Sequence, residues 1–309
     1  MKNIKISVIG AGNVGATCAQ LILQKNLGQV SLIDIQEGLA AGKALDLVES
    51  APVEGFSFGI SGGTDMVLAK DSDIVVITAG LARKPGMSRS DLLETNSKII
   101  QNICKEIARL SPEAIIIIVT NPLDIMTYVA LKTTGFAEQK VMGMAGVLDT
   151  ARFRVFIAQA LNVYPTDVQT MVLGGHGDSM VPLVDQTTVS GIPLSSLMES
   201  KQIEAIVDRT RKGGAEIVGL LKTGSAFYAP AASVVQMVKA IINDEKRIIP
   251  VAAYLNGQYG LKDLFLGVPA KIGAGGVEEI IEVKLNDSDS AALKNSAKSI
   301  KKDIAELKL

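Results

Sequence analysis

Five short runs in the first half of the chain are apolar almost throughout, where a half-buried strand would be apolar only at every second position. They occupy residues 4–9, 30–35, 74–78, 115–120 and, more weakly, 141–144. Strands of this kind belong to parallel sheets, because helices cover both faces and leave no solvated side. Helical patterns fill the gaps at about 14–25, 38–49 and 92–110. Strand, helix, strand repeated in this way predicts an α/β fold built on a doubly wound parallel sheet.

After residue 145 the rhythm changes. A helix is expected at about 149–161, with Phe153, Phe156, Ile157, Ala160 and Leu161 on one apolar face. Strand-like runs follow at 168–173 and 180–188, then long helical patterns at about 200–222 and 226–242. Strands rich in glycine and proline are expected over about 247–283. A last helix carries Leu293, Ala297, Ile300, Ile304 and Leu307 at helical spacing. The expected division is therefore a doubly wound α/β domain over 1–145 and an α+β domain over 146–309.

Composition narrows the function classes. The formal net charge is -1, so no basic excess is available to bind a phosphate backbone, and nucleic acid is not an expected partner. The longest apolar run, "AIIIIV" at 114–119, is far short of the roughly 20 residues that span a bilayer. "MKNIKISVIG" goes straight into a strand and a glycine turn, with no hydrophobic leader and cleavage site, so the expected location is cytoplasmic. Cys18 and Cys104 fall in helical segments and are expected as core thiols, and one histidine with two cysteines offers no metal-ligand set.

The first candidate site is "VIGAGNVGATCA", which places Gly10, Gly12 and Gly15 in a G-x-G-x-x-G pattern between a strand and a helix. The first glycine allows a tight turn, the second lets backbone approach a pyrophosphate, and the third lets helix pack on strand. Helix N–H groups then face the anion. Asp34 ends the second strand 19 residues past Gly15, where a carboxylate accepts from ribose hydroxyls and repels a 2′-phosphate. This pairing makes the sheet Rossmann-type.

The other candidates lie at strand ends, where open α/β sheets bind ligands. "GLARKPGMSRSDLLETN" holds Arg83 and Arg89, either an anion clamp or a solvated basic loop. In "VTNPLD", Asn121 before Pro122 is either a ligand-facing amide or a turn residue. "GVLDTARFR" sets Asp149 and Arg152 three apart on one helix face, a surface ion pair or a functional one. "VLGGHGDSMVP" contains His176, the only histidine of the chain, between glycines that give it little local packing.

Taken in order, "GAGNVG", "LARKPGMSR", "VTNPLD", "GVLDTARFR", "GGHGDSMVP" and "KTGSAFYAPAAS" resemble the NAD-dependent lactate/malate dehydrogenase family. Within it they resemble the lactate-dehydrogenase-like malate dehydrogenase branch, over essentially the full length. The resemblance implies NAD as cofactor, contacted by Gly10, Ala11, Gly12, Asn13, Val14, Gly15, Asp34, Asn96, Val119, Thr120 and Asn121. It implies His176 as the catalytic acid/base and Asp149 as the carboxylate that orients the imidazole. Arg152 would anchor the substrate's C1 carboxylate, Arg89 would polarise the reacting carbonyl, and Asn121 would hydrogen-bond substrate beside the nicotinamide. Ser225 falls in the segment that lines the substrate pocket.

In this family arginine at the position of Arg83 goes with a dicarboxylate and glutamine with pyruvate. An unpaired buried charge costs roughly 3–5 kcal/mol, so Arg83 implies malate and oxaloacetate as the small-molecule partners. The resemblance also implies a homo-oligomer, a tetramer or a dimer. Three rival readings are a lactate dehydrogenase, a non-catalytic NAD-binding module, and a hydrolase using His176 with Ser179. Ser179 has no nucleophile-elbow context.

Overall fold

The computed structural model describes residues 4–81 and 89–307. Strands β1 (Lys5–Ile9), β2 (Gln29–Ile33), β3 (Ile60–Gly63), β4 (Ile74–Ile77), β5 (Ile115–Ile118) and β6 (Val141–Gly143) run parallel. Their spatial order is 3-2-1-4-5-6. Helices α1 (Asn13–Gln24), α2 (Leu39–Glu54), α3 (Arg89–Leu110) and α4 (Leu123–Thr134) lie in the connections. Chain direction through the sheet reverses between β1 and β4, which opens a crevice outside the carboxyl ends of the strands.

Register accounts for the uninterrupted apolar runs. Ile6 pairs with Val30 and Ile74, and Val8 pairs with Leu32 and Val76. These residues share one core with Ile115 and Ile117, whereas Val75, Ile77, Ile116 and Ile118 belong to a second core. Both faces are covered, so both sets of side chains must be apolar.

The second half begins with α5 (Gly146–Leu161), followed by the short strands β7 (Val168–Gln169), β8 (Val172–Leu173), β9 (Val181–Pro182), β10 (Thr188–Val189) and β11 (Ile192–Pro193). Helices α6 (Ser200–Leu221) and α7 (Tyr228–Ile242) come next. Strands β12 (Arg247–Asn256), β13 (Lys262–Gly273) and β14 (Gly276–Ile280) lead to α8 (Asp287–Ala305).

Four features go beyond or depart from the sequence reading. The C-terminal strands do not form a sheet of their own: β12 pairs antiparallel with β6 through Ala252 and Gly143, and β13 and β14 extend one nine-stranded sheet. The edge of β6 would otherwise present unpaired backbone groups. Helix α4 has no amphipathic signature because Leu123 through Leu131 are all buried, and a helix covered all round shows no polar stripe. Strand β3 reads "ISGG" because α2 crosses so closely that a Cβ on Gly62 would stand 2.1 Å from the Ala40 carbonyl oxygen. The two runs flanking His176 form strands only two residues long each side, with turns and 3₁₀ segments between.

Helix α1 and helix α7 share the first core, where Cys18, Ala19 and Ile22 pack with Ala231, Val234 and Val235. Helices α3 and α4 cover the opposite face. A third cluster, including Phe153, Ile157, Val172 and Met180, fills the space beneath α5 and α6. Among the described residues no helix is long and apolar enough to cross a membrane.

Candidate active site

The glycine loop folds as its spacing predicts. Gly10 has φ +104°, in the region that favours glycine, and its N–H donates to the Ile33 carbonyl at 2.7 Å. A Cβ on Gly15 would lie 1.8 Å from the Gly10 carbonyl oxygen, so the helix can reach the strand only with glycine there. At Gly12 a Cβ would meet nothing within 4 Å, which leaves the loop open on the side a ligand approaches. Gly12 also caps α1 without a side-chain hydrogen bond, so N–H groups at that helix end are not consumed by a cap. Open space, an uncapped helix start and a tight glycine turn fit a dinucleotide pyrophosphate. Ala11 is buried, Asn13 is exposed, and Val14 is half-buried.

Asp34 ties this loop to β2. Its Oδ2 accepts the Ala11 N–H at 2.6 Å and its Oδ1 accepts the Gln36 N–H at 2.9 Å. Lys43 on α2 donates from Nζ to the Ala11 carbonyl at 2.7 Å. Nothing in the spacing of the sequence marked Lys43, because the contact joins residues 32 apart.

Asn96 is buried, and its amide works as a clamp. Its Oδ1 accepts the Leu81 N–H at 2.8 Å, and its Nδ2 donates to the carbonyls of Leu81 at 3.1 Å and Asn121 at 2.7 Å. It therefore joins the end of the β4 segment, helix α3 and the turn after β5. Val119 N–H donates to the Ile77 carbonyl at 2.9 Å, and the Thr120 hydroxyl donates to the Ala79 carbonyl at 2.7 Å. Asn121 is exposed at the turn, and the Asn121–Pro122 peptide is cis. Arg83 lies outside the described residues. Arg89 is the first residue of α3, and its side chain is also outside them.

Three residues 27 or fewer positions apart form the second half of the site. Asp149 on α5, 2% exposed, accepts the Arg152 Nη1–H through Oδ1 at 3.2 Å. Its Oδ2 lies 2.8 Å from His176 Nδ1. The Asp149–Arg152 pair is thus not a surface ion pair. Burial works most strongly, against a charged His176 ring, but the carboxylates that face it, Asp149 foremost, hold the pKa above the ordinary imidazole value. Asp124 adds to that effect and Arg152 opposes it. Arg152 fits because Gly213 and Gly214 on α6 leave room, a Cβ on Gly213 falling 3.0 Å from Arg152 Cδ. Arg152 Nε is buried with no hydrogen-bond partner. Ser225 is exposed in the connection between α6 and α7.

The His176 loop is held through three successive backbone N–H groups by three different elements. Gly174, at φ +84°, donates to the Gly267 carbonyl on β13 at 2.9 Å. Gly175 donates to Ser296 Oγ on α8 at 2.8 Å, and Ser296 Oγ in turn reaches Ser179 Oγ at 3.0 Å. His176 donates to Asp124 Oδ2 on α4 at 3.0 Å. Burial pushes the Asp124 carboxyl up to about 6, against the lowering effect of the His176 N–H. Asp124 and Ser296 were not marked by the sequence reading, and only Asp124 had a signal: it sits three residues past Asn121 in a quoted motif. That short turn connects the two halves of the site, since Asn121 meets Asn96 and Asp124 meets His176.

Two family models match successive parts of the chain. A family model described as the lactate/malate dehydrogenase NAD binding domain matches residues 4–143. One described as the lactate/malate dehydrogenase alpha/beta C-terminal domain matches residues 146–308. A malate dehydrogenase from Chloroherpeton thalassium is 58% identical over 299 residues, covering 96% of each chain. The apo structure of malate dehydrogenase from Picrophilus torridus superposes with a TM-score of 0.96 at 49% identity, over 98% of this chain and 96% of that one. A lactate dehydrogenase from Cryptosporidium parvum, solved with lactic acid and nicotinamide adenine dinucleotide, also reaches 0.96, at 40% identity over 99% and 98% of the two chains. Matched in both halves and over almost its whole length, the chain belongs to the lactate/malate dehydrogenase family and is an NAD-dependent oxidoreductase.

Proposed function

We propose that the chain interconverts (S)-malate and oxaloacetate, with His176 as the acid/base. The observation that carries the reading is the Arg152–Asp149–His176 chain, in which one buried carboxylate orients an imidazole and a guanidinium together. Malate is favoured over lactate by Arg83 and by the 58% identical relative, whereas the fold alone does not separate them, because both kinds of neighbour superpose at 0.96. The same reading divides the work between residues 1–145, which bind cofactor, and residues 146–309, which hold substrate. It has the enzyme acting in the cytoplasm as a homo-oligomer, tetramer or dimer, and feeding the tricarboxylic acid cycle.

NAD is held by the Gly10–Gly15 loop, by Asp34, and by the Asn96, Val119, Thr120 and Asn121 group, and when bound it supplies a hydride acceptor at nicotinamide C4. The chain's own residues do the rest. With Nδ1–H donated to Asp149, His176 exchanges its proton through Nε2. The neutral ring takes the hydroxyl proton of malate, and the charged ring returns it to the carbonyl oxygen of oxaloacetate. Asp149 fixes the tautomer and stabilises the imidazolium. Arg152, with an unmatched buried Nε donor, binds the C1 carboxylate as a fork. Arg83 binds the second carboxylate, Arg89 polarises the carbonyl, and Asn121 positions the substrate.

Steady-state kinetics with NADH against oxaloacetate and pyruvate test this directly. Arg83→Gln is expected to lower kcat/KM for oxaloacetate at least about tenfold and to raise it for pyruvate. Unchanged selectivity would overturn the dicarboxylate assignment. His176→Asn is expected to lose most turnover while NADH still binds.

A further inference from the structure

We propose that Asp124 is a positioning residue for His176: it holds the histidine main chain and, with Asp149, sets the negative field in which the ring takes up its proton. The proposal rests on the acid/base reading of His176.

The anchors of the His176 loop show why the charge matters. A carbonyl holds Gly174 and a serine hydroxyl holds Gly175, both neutral acceptors. At His176 the acceptor is a carboxylate only 4% exposed, and its second oxygen is buried with no hydrogen-bond partner. Burying a carboxylate with half of its acceptors unmatched is expensive, and a hydroxyl or amide would satisfy one N–H at lower cost. The feature that a carboxylate adds is charge. Its place in the first turn of α4, where Pro122 supplies no side-chain cap, eases that cost through the helix dipole.

The charges facing His176 come from two elements. Helix α5 contributes Asp149 and Arg152, and α4 contributes Asp124. Helix α8 meets the loop through Ser296, which is uncharged. Asp149 and Arg152 neutralise each other, so with those two alone a protonated ring would leave a buried positive charge. Asp124 adds the negative charge that the incoming proton balances. The described cluster is therefore neutral when His176 is charged and singly negative when it is not, which favours uptake of the proton.

His176 is the only histidine, so its Cε1–H signal in a proton NMR titration of the free protein needs no assignment. Asp124→Asn keeps an oxygen for the His176 N–H and removes the charge. The expected result is a fall of about one pH unit in the His176 midpoint, with the acid limb of kcat/KM for malate moving down by the same amount. A midpoint that moves less than about 0.2 unit, well below the shift a nearby charge produces, overturns the role of Asp124. If the Asn variant does not fold, Asp124→Ser, the acceptor Ser296 already supplies to Gly175, takes the same titration with the same two outcomes. A wild-type malate profile with no limb at the His176 midpoint would instead overturn the acid/base reading.

Discussion

At the scale of single residues, the site depends on atoms that leave no room for alternatives. An added methyl at Gly15 would collide with the Gly10 carbonyl. Gly15→Ala is therefore expected to weaken NADH binding more than about tenfold, as loop and helix separate, which a fluorescence titration of bound NADH measures. Asp34 accepts from Ala11 and Gln36, and in the proposed function its carboxylate also receives the ribose hydroxyls. Asp34→Ala is expected to narrow the NAD-over-NADP ratio of kcat/KM, and an unchanged ratio would remove Asp34 from cofactor choice. His176 has a raised pKa, so the pH dependence has a definite sign. If His176 is the acid/base as proposed, malate oxidation falls as pH drops through a midpoint above 6.5, and oxaloacetate reduction falls as pH rises through it. Much of this was legible in sequence, because glycines at fixed spacing and a lone histidine stand out. Lys43, Asp124 and Ser296 were not, because each acts through one hydrogen bond to backbone far along the chain.

At the scale of elements, the decisive feature is how short turns are tied together. Asn96 on α3 bonds Leu81 twice and Asn121 once, so it fixes where two strand-end segments begin. Truncation to alanine removes the partner of the Leu81 N–H and of the Leu81 and Asn121 carbonyls, each hydrogen bond worth about 0.5–1.5 kcal/mol. Asn96→Ala is expected to unfold at lower urea and to show a raised KM for NADH, measured by denaturation and initial rates. The Asn96 amide makes three hydrogen bonds to backbone, so it shapes the turns that the proposed cofactor would meet. Helix α4 shows a related limit. Its position was hidden because burial on all sides erases the periodicity by which a helix is recognised.

At the scale of the molecule, the two family domains do not have separate interiors. Helix α7, from the second half, packs on α1, from the first, within one hydrophobic cluster. Strand β12 continues the sheet begun by β6. Unfolding is therefore expected as one cooperative transition. The two thiols provide probes for it, since Cys18 lies in the α1–α7 core and Cys104 in the core on the other face. Burial pushes both thiols up to about 12, so neither should react with a disulfide reagent at neutral pH in the native state. Both should become reactive together, at the urea concentration where circular dichroism changes. Early labelling of Cys18 alone would show that α7 detaches first.

Sequence alone determined the class of sheet, the glycine loop and the chemistry-bearing residue types, because these follow from local rules. A strand covered on both faces must be apolar throughout, a positive φ requires glycine, and a proton carrier near neutrality calls for histidine. Tertiary structure alone decided which residues meet. Asp149 reaches Nδ1 of a histidine 27 residues away, Asp124 reaches its main chain across 52, and Ser296 reaches Gly175 across 121. No pattern along the chain encodes those pairings. They exist because α4, α5, β13 and α8 converge on one loop, and packing fixes that convergence.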